Sequence, residues 1–312
     1  MSRVYLGVIA AKGEKMKAKP RVSIVLPTYN GAKFIAESIK SIIAQDFTDW
    51  ELIIVNDCST DETLNIVTKF ADQDKRIKVI SNKENKKLPG ALNVGFAAAT
   101  GEYFTWTSDD NIARPNWLSV LVNALDASPN VAMVVADMDY MDENEKFMET
   151  ASSRYQHRNA KQLAYICNVG AAFMYRGAIA AKVGKYDEST FCAEDYDYWC
   201  RIALNGDIEY IPDNIYRYRR HGGSLTETKR AQQIAKTSTI NKKYYKQFMT
   251  RYKMNWWQRQ KLTFLLYPHI PQTSCYWLFK LRNVIVFQIG NILFFWNSKL
   301  RHKFKSKFKI NL

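Results

Sequence analysis

The sequence predicts an α/β fold built on a Rossmann-like, mostly parallel sheet flanked by helices. Three observations carry that expectation. From residue 21, short β-branched runs alternate with stretches of helical periodicity. Each run is almost continuously apolar, as in strands covered on both faces. The segments after the runs are rich in polar side chains, as loops at the carboxyl ends of parallel strands are. With 312 residues, 47% hydrophobic and 24% charged, the chain has a globular composition and length for one large core or two modest ones.

The elements follow in order. "VSIVLPTY" (22–29) reads as a buried strand, and Ile35, Ile39, Ile42 and Ile43 make an amphipathic helix ending near Gln45. "ELIIV" (51–55) is a second strand, with a helix from about Asp61. "IKVI" (77–80) is a third, leading to a helix through "ALNVGFAAA". "EYFTWT" (102–107) is a fourth, with a helix from Pro115, a residue suited to a first helical turn. "VAMVV" (131–135) is the fifth. Past residue 150, "NVGAAFMYRGAIAAKVGKYDES" reads as a small-residue loop, a short helix and a turn. "CAEDYDYWCRIALNG" is a helix stopped by Gly206, "DIEYIP" a strand, and "YRYRRHGGSLT" a basic, glycine-containing loop. The expected division is an extension over 1–20, a main α/β domain over 21–228 (halves 21–135 and 136–228), and a basic helical region over 229–312.

Charge is distributed unevenly. Residues 229–312 hold 18 Lys and Arg and no acid, whereas residues 1–228 carry 27 basic and 30 acidic side chains. A near-neutral body with a basic tail implies a polyanionic partner for the tail. Within it, Val284–Trp296 is 13 residues long and broken by Gln288, Gly290 and Asn291, too short to span a bilayer. Trp277, Phe279, Phe287 and Trp296 between Lys and Arg suit an anionic membrane interface. The alternative is a helical subdomain that packs on the body or in a homo-oligomer. No nucleic-acid module is recognisable, although a basic nucleic-acid-binding protein is the competing class, one that would show no turnover. Five scattered cysteines without a CxxC pair fit a reducing compartment, and the N-terminus does not read as a secretory leader. The expected location is cytoplasmic, peripheral to the inner face of the cell membrane.

"VSIVLPTYNGAKFIAESIKSIIAQDFTDWELIIVNDCSTDET", "TSDDN", "VGKYDE", "AEDYDYW" and "RHGGS" occur in that order across residues 22 to about 225. With these motifs the chain resembles the family 2 glycosyltransferases of GT-A fold. The resemblance implies inverting transfer of a sugar from a nucleotide diphosphate, UDP above all, to a hydroxyl. A glycan or lipid-linked acceptor in surface polysaccharide synthesis and a divalent metal, Mn²⁺ or Mg²⁺, go with it. Pro27, Thr28 and Tyr29 would offer a backbone edge and an aromatic wall to the base, and Asp57 an acceptor for uracil N3–H; an ordinary turn and a helix cap are the bland readings.

Ser108-Asp109-Asp110 falls on the family's D-x-D position. That makes Asp110 the metal ligand, with Asp109 toward ribose and phosphates and the Ser108 hydroxyl near the ribose. An acidic helix start is the alternative. Lys83, Lys86 and Lys87, with Asn93 downstream, would face the diphosphate, or form a solvated loop. Leu92 stands where the family often has Arg. Asp195 matches the general base, Glu194 lies beside it, and Trp199, four residues on, would stack on an acceptor sugar. Arg220 and His221 would reach the diphosphate or metal, and Gly170 would let the donor sugar approach backbone. Ser108 and Leu92 are departures that leave room for a catalytically impaired relative.

Overall fold

The structure is a computed structural model and describes residues 19–151, 160–164, 166–255 and 258–259. The chain divides into two compact units, 1–240 and 241–312. The first carries a nine-stranded sheet. Its first half is parallel: β1 (Val22–Thr28) lies between β2 (Trp50–Asn56) and β4 (Tyr103–Trp106), and β3 (Ile77–Ser81) edges β2. The order β3-β2-β1-β4 then continues through β8 (Phe173–Arg176), β6 (Val131–Met141), β9 (Asp207–Arg219) and β5 (Ile112–Ala113), with β7 (Phe147–Thr150) on β6. β8 is antiparallel to both neighbours, whereas β6 and β9 run parallel.

The helices form where the apolar spacing places them. On α1 (Ile35–Ile43), Ile35, Ile39 and Ile42 are fully buried with Leu26, Leu52 and Ile54. α2 (Thr63–Gln73) starts two residues after Asp61, whose Oδ1 accepts from Thr63 N at 3.0 Å and Thr63 Oγ1 at 2.5 Å. α3 (Lys87–Ala98) lies on β1 and β2 so closely that a Cβ on Gly95 would stand 2.4 Å from Val25 Cγ1. α4 (Trp117–Ala127) starts two residues beyond Pro115, and α5 (Gly177–Val183) precedes α6 (Glu194–Asn205), which Gly206 closes as expected.

Three sequence expectations need correction. β6 runs to Met141 rather than ending at Val135, "FMYR" is strand β8 rather than loop, and "YRYR" belongs to β9. The cause is common to them: polar residues interrupt the apolar pattern, yet distant partners satisfy them within the sheet. Asp139 is one case, accepting from Thr150 Oγ1 (2.7 Å), Asn214 Nδ2 (2.5 Å) and Arg114 NH2 (2.6 Å).

After α7 (Leu225–Thr228), α8 (Arg230–Arg251) extends from the first unit into the second. The second unit buries Tyr244, Phe248 and Met254. The membrane-facing expectation for 284–296 and most of the 1–20 extension lie outside the described residues. Among the described residues no helix is long and apolar enough to cross a membrane.

Candidate active site

The carboxyl ends of β1, β2 and β4 converge on one edge of the sheet. Pro27 lies inside β1 opposite Val55, and Thr28 ends the strand. Beyond it the "YNG" turn is latched to the loop after β2. Asn30 N donates to Ser59 Oγ (3.0 Å), Asn30 Oδ1 accepts from Thr60 N (2.8 Å), and Ala32 N donates to Asp61 Oδ2 (3.2 Å). Asn30 therefore ties two loops together and does not cap α1. Tyr29 projects outward, 52% exposed. Asp57 is buried at the end of β2, its Oδ1 accepting from Asn82 Nδ2 (2.7 Å) and Lys86 N (2.9 Å). Oδ2 takes no hydrogen bond among the described residues, so an acceptor atom stays open at this edge.

Across from it, Thr28 Oγ1 donates to Asp109 Oδ2 at 2.5 Å. Gly31 sits against this pair; a Cβ there would fall 2.1 Å from Asp109 Oδ2 and 2.5 Å from Thr28 Oγ1. Burial, aided by the neighbouring Asp110 charge, pushes the Asp109 carboxyl up to about 7. Asp110 is also raised by burial, with His221 opposing: His221 Nε2 lies 3.0 Å from Asp110 Oδ2. Two adjacent acids held partly out of water and an imidazole converge here, and a hard divalent cation would relieve their repulsion. No set of three such groups is preformed among the described residues, so a bound ion would complete its shell from the donor or water.

Glu194 and Asp195 open α6. Glu194 is buried with its Oε2 unpartnered, Asp195 is half-buried, and its Oδ1 accepts from Tyr196 N at 2.7 Å. Burial raises both carboxyls, and for Glu194 the Asp195 charge adds to it. Tyr218 on β9 relates the two acidic groups. Burial lifts its phenol to about 12, and the negative charges of both Asp110 and Asp195 add to the shift. Its Oη lies 3.2 Å from Thr226 Oγ1, and its ring packs edge-on to Tyr140.

Several expected residues have other duties. Trp199 is 1% exposed and packs edge-on against Phe173 at 4.6 Å, so no ring face is left for an acceptor sugar. Helical spacing from Asp195 put it on the right element, but that part of the face points into the core. The Asn93 amide is taken by the turn before α6, donating to Tyr186 O (3.0 Å) and accepting from Tyr186 N (2.8 Å), so it braces that turn and does not reach for a donor. Leu92 is fully buried. Lys83, Lys86 and Lys87 are exposed. Arg220 pairs with Glu149 (3.3 Å) and lies over the Tyr140 ring. Ser108 is half-buried, its carbonyl accepting from Ser38 Oγ (3.0 Å), and Gly170 is half-exposed just before β8. Gly31 and Tyr218 were not singled out from sequence. Gly31 closes the "PTYNG" motif, which was the available signal; Tyr218 has none.

Residues 23–184 match the family described as Glycosyl transferase family 2. An uncharacterized glycosyltransferase of Haemophilus influenzae is 30% identical over 224 residues, 68% of this chain and 69% of that one. The putative colanic acid biosynthesis glycosyl transferase WcaA of Escherichia coli is 32% identical over 193 residues, 61% of this chain and 68% of its own. Among solved structures, S. aureus TarS 1–349 in complex with UDP-GlcNAc superposes with a TM-score of 0.60 at 20% identity, over 79% of this chain and 70% of that one. The mannosyltransferase PcManGT of Pyrobaculum calidifontis, in complex with GDP-Man and Mn²⁺, gives 0.59 at 20% identity, over 86% and 81%. Fold and relatives together define a glycosyltransferase of GT-A architecture. The chain belongs to glycosyltransferase family 2.

Proposed function

We propose that this enzyme transfers a sugar, with inversion, from a UDP-linked donor to a hydroxyl of a glycan or lipid-linked acceptor in surface polysaccharide synthesis. One observation carries the reading: at the family's metal-binding position beyond β4, His221 Nε2 lies 3.0 Å from Asp110 Oδ2, a carboxylate–imidazole pair beside the buried Asp109. Inverting displacement needs one acid toward the leaving group and one toward the acceptor, the parts proposed here for Asp110 and Asp195. Asp57, with Oδ2 open, supports a uracil-type base, and Tyr29 a wall beside it. The relative WcaA supports a role in polysaccharide assembly.

Asp110 and His221 would hold a divalent cation, Mn²⁺ or Mg²⁺, and the carboxylate–imidazole pair suits Mn²⁺ well. When bound, that ion supplies positive charge to the departing diphosphate. Asp109, fixed by Thr28, would face the ribose and phosphates. Asp195 accepts the proton of the acceptor hydroxyl as the new bond forms on the face opposite the leaving group, and its raised pKa makes it a stronger base. Glu194, buried beside it, is the second acid of the catalytic pair. The basic C-terminal region would bring the enzyme to the cytoplasmic leaflet, where lipid-borne acceptors reside.

Replacing Asp195 with Asn tests the assignment. Binding of UDP with Mn²⁺ should persist, while turnover, followed as UDP release, falls by about 10²-fold or more. An Asp195→Asn enzyme that turns over like wild type would remove Asp195 from this role.

A further inference from the structure

We infer that Arg219, which lies beside the site without opening onto it, is the positioning residue that holds the Asp110–His221 pair in register. The inference rests on the reading of that pair as metal ligands. Arg219 ends β9 and is 1% exposed, an unusual setting for a guanidinium. Each edge of its fork is occupied. Nε donates to the Asp110 carbonyl at 2.8 Å, NH1 to the Glu143 carbonyl at 2.8 Å, and NH2 to Glu37 Oε2 at 2.6 Å. Its own backbone N donates to Asn111 Oδ1 at 2.9 Å.

One side chain thus grips the backbone of the acidic pair, and its main chain grips the next residue. The guanidinium carbon also lies 4.5 Å from the centroid of Phe34, whose ring meets the His221 ring at 5.2 Å. His221 follows Arg219 by two residues along the chain, so both members of the pair are referenced to the same group. Lys33 is the other cation here, 4.7 Å from the Phe34 centroid and paired with Glu143 at 2.6 Å.

Arg219 is well placed to orient ligands: each of its three nitrogens is engaged, and at 1% exposure it is shut away from a diphosphate. A group that orients ligands from behind typically changes metal affinity 10–100-fold when altered. Lysine in its place keeps the charge but cannot make three directed bonds from one planar fork.

The test compares wild type, Arg219→Lys, Glu37→Gln and Asp110→Ala as full-length chains. Free Mn²⁺ is titrated by electron paramagnetic resonance at saturating UDP, and thermal melts are recorded in parallel. Arg219→Lys should bind Mn²⁺ at least about 10-fold more weakly. Glu37→Gln, on a half-exposed residue of α1, should fold normally and weaken Mn²⁺ by about threefold, because the fork keeps its other two anchors. Melting shifts with Mn²⁺ affinity within twofold of wild type in both variants would mean that Arg219 only staples α1 to the 142–146 turn, and would overturn the inference. Should Arg219→Lys fail to fold, an unchanged affinity in Glu37→Gln overturns it alone. Wild type and Asp110→Ala binding Mn²⁺ equally would instead sink the ligand reading on which the inference stands.

Discussion

Gly31→Ala puts the donor-side geometry to the sharpest test. The added methyl would stand 2.1 Å from Asp109 Oδ2 and 2.5 Å from Thr28 Oγ1, where contacts below 3.0 Å do not persist. Asp109 must therefore retreat by about 0.9 Å or more, and it cannot do so freely. Its Oδ2 is pinned by Thr28 at 2.5 Å, and its backbone is continuous with Asp110. Overpacking of this kind costs about 2 kcal/mol, hence roughly 4–8 °C in Tm for a unit of this size. A displacement near 1 Å at a reacting site costs on the order of 10²-fold in rate. Differential scanning fluorimetry and UDP-release kinetics with Mn²⁺ measure the two effects. A Gly31→Ala protein with wild-type Tm and turnover would refute the placement of Asp109 against Thr28.

Other expectations follow from the same coordinates. Trp199→Ala should cost about 3–5 kcal/mol by opening a core cavity while leaving the acceptor KM of any surviving folded enzyme unchanged, which chemical denaturation and acceptor kinetics separate. Asn93→Ala should lower stability by about 1–3 kcal/mol, because buried groups of Tyr186 lose their partner; a urea midpoint equal to wild type would contradict that. Burial works against the ionised form of Glu51, but Lys78, Ser23 and Thr100 outweigh it and hold its carboxyl below the usual value of 4.5. A lowered pKa stabilises the fold above that value and the contribution is lost as pH falls beneath it, so Glu51→Gln should flatten the acid side of a stability–pH curve. For Asp195 the sign is opposite: its pKa is raised by burial, and as the proposed base it must be ionised. Turnover should therefore fall off on the acid side at a pH above that of an ordinary aspartate.

The parallel half of the sheet is legible because its strands are apolar on both faces and its helices keep strict spacing, as Ile35, Ile39 and Ile42 do. β8 and the far ends of β6 and β9 are not. Their acids and arginines look like loop residues until Asp139 is seen to collect three donors from segments up to 75 positions away. The acids of the site could be found because they follow strand ends and open a helix. What surrounds them could not: Trp199 and Asp195 share a helix, yet burial sends one into the core and leaves the other half-open. Periodicity gives the face of a helix and says nothing of what is packed over each part of it.

A single unbroken stretch, residues 194–219, begins at the two acids of α6, turns at Gly206 and ends at Arg219 on β9. No flexible connector intervenes, so the span between the proposed proton acceptor and the proposed cation site is ruled by the lengths of one helix and one strand. Inserting or deleting a single residue there would rotate or shift one group relative to the other, and spoil both together. Divergence toward new acceptors would then be confined to segments outside this ruler, such as the start of α7, where length can vary without unsetting the chemistry.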